Sequence, residues 1–79
     1  MSYGYSRRIV AMNEEASTDL IGVELGRHCI EKDIPVARIA ETFKVSRMTV
    51  YNWFTGSTNP KPDVMKEIRR WLRRRASRK

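Results

Sequence analysis

The chain contains only one cysteine, Cys29, and only one histidine, His28, among its 79 residues. One cysteine cannot form an internal disulfide bond, and one cysteine with one histidine cannot supply a set of zinc ligands. No apolar run approaches the ~20 residues of a membrane-spanning helix, and the N-terminus lacks the basic-then-apolar pattern of a signal peptide. We therefore expect no metal site, no membrane association and a reduced, cytoplasmic environment.

The sequence also lacks the residue patterns that enzymes use. It shows no pairing of a nucleophile with a general base, no catalytic pair of carboxylates and no glycine-rich phosphate loop. A chain of this length has room for one domain, and such a domain cannot enclose a large cofactor. We therefore expect the protein not to be an enzyme, and to bind neither a cofactor nor a small-molecule effector.

Negative charge is scarce in the second half of the chain, and the net charge of the whole is +7. Residues 1–34 carry four basic against six acidic side chains, whereas residues 35–79 carry twelve against three. Such a basic region favours a polyanionic partner, because binding to phosphates releases their condensed counterions. A basic surface that simply stays solvated is the alternative.

The first third of the chain predicts an arm followed by a helix. Residues 1–17 lack a clear helical pattern, so we interpret them as an N-terminal arm. The first helix is expected over residues 18–32, capped by Thr18 or by the serine before it. Gly22 and Gly26 lie four residues apart on this helix and would let another helix approach closely. The residues expected on its buried face are Ile21, Leu25, Cys29 and Ile30.

Two short helices joined by a tight turn are expected in the middle of the chain. The first, over residues 36–43, begins after Pro35, which suits a helix start. The dipeptide Lys44-Val45 forms the turn, and Ser46 is a good N-cap for the second helix over residues 47–54. The residues expected inside are Val36, Ile39, Ala40 and Phe43 from the first helix and Val50, Trp53 and Phe54 from the second.

The last third of the chain predicts a loop, a helix and a basic tail. Residues 55–62 have the glycine, proline and polar composition of a loop. A fourth helix opens at Pro62. The run of like charges at residues 73–79 is expected to form a tail that does not fold alone. The apolar face of the fourth helix consists of Val64, Met65, Ile68, Trp71 and Leu72.

The middle of the chain resembles a known DNA-binding family. The fixed small and apolar positions of the helix-turn-helix in Cro- and phage-repressor-like domains (lambda-repressor-like, XRE-type) are matched here by Ala40, Val45, Val50 and Trp53. The match covers residues 18–72. The resemblance implies a compact all-α domain of four or five helices, with the helix-turn-helix formed by helices 2 and 3.

The chain departs from the family pattern at several positions. Lys44 stands where the family usually has glycine, so a left-handed backbone there would cost roughly 1–2 kcal/mol. Pro35 stands where the family often has a polar helix cap. Many members pair an arginine with a glutamate at the places held here by Cys29 and Phe54, so an apolar contact is expected instead.

One face of helix 3 carries side chains suited to reading base edges. Arg47 can offer two donors to O6 and N7 of guanine, and Asn52 can pair with adenine or with a phosphate. Met48 could contact a thymine methyl group, Ser46 a base or a phosphate, and Tyr51 the DNA backbone or the core of the protein itself. An ordinary solvated helix face is the alternative.

Phosphate contacts are expected around helix 3, from the turn before it, the loop after it and helix 2. A mobile polar loop is the alternative for residues 57–61. Arg7 and Arg8 either enter a minor groove or belong to an arm that is disordered or packed on the core. The tail either binds phosphates, stays solvated or supports a dimer. The candidate phosphate-binding residues are Arg38, Lys44, Thr49, Ser57, Thr58, Asn59 and Lys61.

These features together predict a sequence-specific transcriptional regulator from a bacterium or its phage. The resemblance implies that it binds double-stranded DNA as a homodimer on a two-fold symmetric operator. Repression in the manner of Cro is expected, because the chain has no second domain to recruit polymerase. Two alternatives stay open: a helix-turn-helix module that binds a host protein or acts as an antitoxin, and a non-specific architectural DNA binder.

Overall fold

The computed structural model describes residues 5–77, and this part of the chain forms five α-helices without any β-strand. The expected all-α class is therefore confirmed. Within the same residues, no helix combines the length and the apolar character that a bilayer crossing requires. The helices are α1 (Arg7–Glu15), α2 (Ile21–Lys32), α3 (Val36–Phe43), α4 (Arg47–Thr55) and α5 (Pro62–Ser77).

Helix α2 is the centre of the fold and contacts α1, α4 and α5. Its closest approach is to α4, at the two glycines. A Cβ atom placed on Gly22 would lie 2.8 Å from Cβ of Trp53, and one on Gly26 would lie 2.7 Å from Cγ of Phe54. The predicted close helix approach is thus confirmed, because only hydrogen atoms fit between these backbones and the facing side chains.

Helices α3 and α4 begin and end within one residue of the predicted bounds. Lys44 ends α3 in the left-handed conformation (φ 59°, ψ 47°), and its N–H group donates to the carbonyl of Ala40. The Ser46 hydroxyl then caps α4 by accepting a bond from the Thr49 N–H at 3.1 Å. All seven residues that were expected inside these two helices are buried.

The expectation of a non-helical arm was wrong for residues 7–15, which form α1. Ser6 caps this helix, since its hydroxyl accepts from the Ile9 N–H at 3.2 Å. Before the helix, Tyr5 is buried and its hydroxyl donates to the carbonyl of Ile34. The alternative in which this segment packs on the core therefore applies to residues 5–15. Residues 1–4 lie outside the described part of the chain.

Two further helix ends differ from the prediction. Helix α2 begins at Ile21 rather than near residue 18, because the Ser17 hydroxyl accepts from the Asp19 N–H (3.1 Å) and closes a local turn instead. Helix α5 continues to Ser77, so the expected unfolded tail is helical over residues 73–77. Stacking of Arg75 over the Trp71 ring, 4.1 Å from its centroid, supports this last turn. Residues 78–79 lie outside the described chain.

Candidate nucleic-acid interface

Helix α4 has one buried side and one exposed side. Val50 and Phe54 are fully buried and Trp53 is 3% exposed, so this side anchors the helix to the core. On the other side Arg47 is exposed, and Met48 is 68% exposed. A methionine held this far into water is not part of the core, and its side chain is free to contact a partner.

Tyr51 and Asn52 lie on the same outward half of α4 but are partly buried. The Tyr51 ring packs against the edge of the hydrophobic core, so much of this side chain is used for packing. The Asn52 carbonyl accepts the N–H groups of Ser57 (2.9 Å) and Thr58 (3.3 Å). Its backbone therefore holds the following loop against the end of α4.

Ser46 has a capping role in addition to any role in binding. Its hydroxyl accepts from the Thr49 N–H and lies 2.9 Å from the Thr49 hydroxyl. A contact from Ser46 to a base would have to share this hydroxyl with the cap. The structure thus places Ser46 and Thr49 together at the N-terminal end of α4, where the helix dipole and the unpaired N–H groups favour an anion.

Five of the seven candidate phosphate-binding residues line one depression beside α4. The lining of the depression also includes Phe43, Trp53, the buried Pro60 and Asp63. Two lysines and one aspartate give this lining a net positive formal charge. The five candidates that the structure brings together here are Lys44, Thr49, Thr58, Asn59 and Lys61.

The other two candidates do not line this depression. Arg38 is exposed on α3. The Ser57 hydroxyl lies 3.0 Å from the Thr55 hydroxyl, which itself donates to the Tyr51 carbonyl at 3.1 Å. The beginning of the loop is therefore held by hydrogen bonds to α4, and this anchoring favours a fixed position for the loop over the mobile alternative.

Asn13 positions the C-terminal end of α4, and the sequence did not predict this role. Asn13 is 1% exposed, and its side-chain amide donates to the carbonyls of Phe54 (2.7 Å) and Val23 (3.1 Å). The Arg27 guanidinium donates in turn to the Asn13 carbonyl at 2.8 Å. Three helices are thereby joined at one side chain. A lone asparagine on the apolar side of a helix is the signal that could have identified it.

The cysteine and the histidine have no arrangement that suggests chemistry. Burial raises the pKa of the Cys29 thiol to about 12, so the thiol stays protonated and acts as apolar filling. Burial, together with the charges of Arg75 and Lys32, lowers the pKa of His28. Among the described residues, no three metal-binding side chains lie together.

Comparisons with protein-family models, with curated proteins and with solved structures found no match for this chain.

Proposed function

We propose that the protein is a sequence-specific DNA-binding regulator, in which α3 and α4 form a lambda-repressor-like helix-turn-helix and α4 enters the major groove. The observation that carries this proposal is the outward side of α4. It presents a cation, an exposed methionine and an amide beside a positive depression. A major groove about 12 Å wide admits one helix with such side chains.

Base reading is assigned to the outward side of α4. Arg47, at the first position of the helix, can donate two hydrogen bonds to guanine, and Met48 can cover a thymine methyl group. Asn52, one turn further on, can pair with adenine or reach a phosphate. Ser46 and Tyr51 are secondary contacts, since the first also caps α4 and the second also packs on the core.

Contacts with the phosphate backbone on one side of the groove are assigned to the residues that line the depression and to the exposed residues around it. Lys44 comes from the turn and Lys61 from the loop, so two lysines from separate segments line one depression. Hydroxyl and amide groups can add neutral hydrogen bonds to phosphate oxygens. Such contacts fix the position of α4 along the groove but carry no sequence information. Thr49, Ser57, Thr58, Asn59 and Arg38 complete this set.

We further propose a homodimer that binds a two-fold symmetric operator in the cytoplasm of a bacterial or phage-infected cell. A symmetric dimer that places two α4 helices in successive major grooves on one side of the duplex needs half-sites about 34 Å apart. Occupying such a site would block a promoter and repress transcription.

Selection of bound sequences from random duplexes, repeated at several salt concentrations, tests the proposal. Measuring the mass of the complex in the same conditions gives the number of protein copies. A two-fold symmetric consensus with two copies per duplex supports the dimeric regulator. Binding without a consensus would instead indicate an architectural DNA binder, since non-specific affinity comes mostly from phosphate contacts. No binding even at low salt would favour the protein-interaction module.

A further inference from the structure

A depression of about 590 Å³ lies between α1 and the last turn of α2. Among the described residues, it shares no lining residue with the depression beside α4. Tyr5 is buried at it, and Val10 and Ile30 are partly buried, so apolar side chains form much of its lining. The charged residues that line it are Arg7, Glu14 and Glu31.

The α1 wall of this depression is formed by residues that recur at i, i+3, i+4 and i+7, a spacing that puts side chains on one face of a helix. A cation begins the line, a carboxylate ends it, and two apolar residues lie between them. Val10 is partly buried, and the others are exposed. The four residues, called the α1 stripe below, are Arg7, Val10, Ala11 and Glu14.

The α1 stripe is complementary to a second copy of itself that runs in the opposite direction. A two-fold axis between Val10 and Ala11 would place each of these apolar residues opposite the other in the second copy. Arg7 and Glu14 lie three residues to either side of that pair, so the same axis would place the cation of each copy opposite the carboxylate of the other. Such an isologous contact uses the same patch on both copies. A parallel arrangement would instead set like charges together, so the charges favour the antiparallel one.

A second line on α1 has the same spacing and the same charges, because Arg8 and Glu15 enclose Ala11 and Met12. It lies about 100° further around the helix, and three of its residues are outside the lining of the depression. A partner helix on the second line would pack on α1 alone, whereas one on the α1 stripe would also contact Ile30 of α2. The larger apolar contact favours the α1 stripe.

We propose that two copies of the protein associate through the α1 stripe, with their α1 helices antiparallel about a two-fold axis. This inference rests on the homodimer of the proposed function and supplies its interface. Helix α1 also packs on α4. The contact would therefore hold the two α4 helices in a two-fold symmetric arrangement, which is the arrangement that a symmetric operator requires.

Charge reversal at the two ends of the stripe tests the pairing. Sedimentation of the free protein over a series of concentrations measures the dissociation constant of the dimer. Arg7→Glu and Glu14→Arg should each raise this constant by about tenfold, because the two-fold axis turns two attractive pairs into repulsive ones. The two single variants mixed together should associate as the wild type does, since opposite charges then face each other at both ends. The double variant Arg7→Glu/Glu14→Arg should associate by itself for the same reason.

The variants include their own controls. The two reversals change the net charge in opposite directions, so a general charge effect would weaken association in one and strengthen it in the other. Arg8→Glu and Glu15→Arg make the same changes on the second line and should leave association unchanged. All four reversals suit the helix dipole, which favours a carboxylate near the N-terminus and a cation near the C-terminus. Circular dichroism verifies that each variant keeps its helix content.

Three results would overturn the proposal: failure of the mixed single variants to associate, loss of association in the second-line variants instead, or a wild type that stays monomeric both free and on its selected DNA. Selection of bound sequences from random duplexes separates this proposal from the proposed function. A dimer that depends on the α1 stripe but binds no DNA would support the interface and refute the regulator. Sequence-specific binding by a monomer would support base reading by α4 and overturn the interface.

Discussion

Replacing Asn13 by alanine should destabilise the protein far more than a typical substitution on a short helix. The asparagine amide supplies hydrogen bonds to the carbonyls of Phe54 and Val23 from a position that is 1% exposed. Phe54 lies in the last turn of α4, where carbonyl groups have no partner within the helix. The substitution therefore leaves this carbonyl buried without the donor that it has in the native protein.

The magnitude follows from the two bonds and from the carbonyl left behind. Each bond contributes a net ~0.5–1.5 kcal/mol, and a buried group that loses its partner costs ~1–3 kcal/mol. The Val23 carbonyl lies inside α2 and keeps its helical bond, so only Phe54 carries the larger cost. We expect a loss of about 2–4 kcal/mol in the free energy of unfolding, or about 10–30 °C in Tm for a domain of this size.

Urea denaturation followed by circular dichroism measures this loss. Met12→Ala is the matched control, since Met12 is the preceding residue of α1 and is 39% exposed; its effect should stay within about 1 kcal/mol. An Asn13→Ala variant as stable as the control would refute the role assigned to the Asn13 side chain.

Aspartate at the same position provides a second test of the same reasoning. An ionised carboxylate has no donor for the two carbonyls, so Asn13→Asp should be less stable than Asn13→Ala at pH 7. Burial and the facing carbonyl dipoles would raise the pKa of the carboxyl group above its value in the unfolded chain. Its protonated form can donate one bond, so stability should be recovered at low pH and lost as pH rises through the folded-state pKa.

Four further predictions concern the turn, the helix contact, the histidine and the base-reading side. Lys44→Gly should raise the free energy of unfolding by about 0.5–1 kcal/mol, because glycine accepts the left-handed backbone, and should weaken DNA binding in a gel-shift titration. Gly22→Ala should cost about 1–3 kcal/mol in urea denaturation, since the new Cβ meets both the side chain and the carbonyl of Trp53. Burial beside two cations lowers the pKa of His28, so the unfolded chain binds the proton more tightly and stability should fall as pH drops below about 6.5; His28→Gln should remove this part of the pH dependence of Tm. Arg47→Ala should cost about 1–3 kcal/mol at the selected site and relax one base position, whereas an equal loss on all sequences would make Arg47 a phosphate contact.

The helices that could be predicted from the sequence are those whose apolar residues repeat without interruption. Val36, Ile39, Ala40 and Phe43 follow the helical period, and Ser46 marks the next helix start, so α3 and α4 were located within one residue. The two glycines of α2 also predicted the close contact that the structure contains. In these cases local propensity and tertiary packing favour the same conformation.

The parts that could not be predicted depend on contacts between distant residues. Asn13 interrupts the apolar pattern of α1, and its burial makes sense only once the carbonyl of Phe54 lies beside it. The depression beside α4 collects residues from α3, α4 and the following loop. None of these neighbours is apparent from spacing along the chain.

The left-handed residue Lys44 connects the stability of the fold to the proposed interface. The structure has one other non-glycine residue in this conformation, within the described residues 5–77: Asp33 (φ 58°), at the end of α2. Aspartate tolerates this backbone because its short side chain can bond locally, whereas lysine has no such compensation. Lys44 lines the same depression as Lys61. A strained backbone that sets a charge at a candidate binding surface is the pattern expected where function opposes stability. The two effects predicted for Lys44→Gly, higher stability and weaker DNA binding, should therefore occur together.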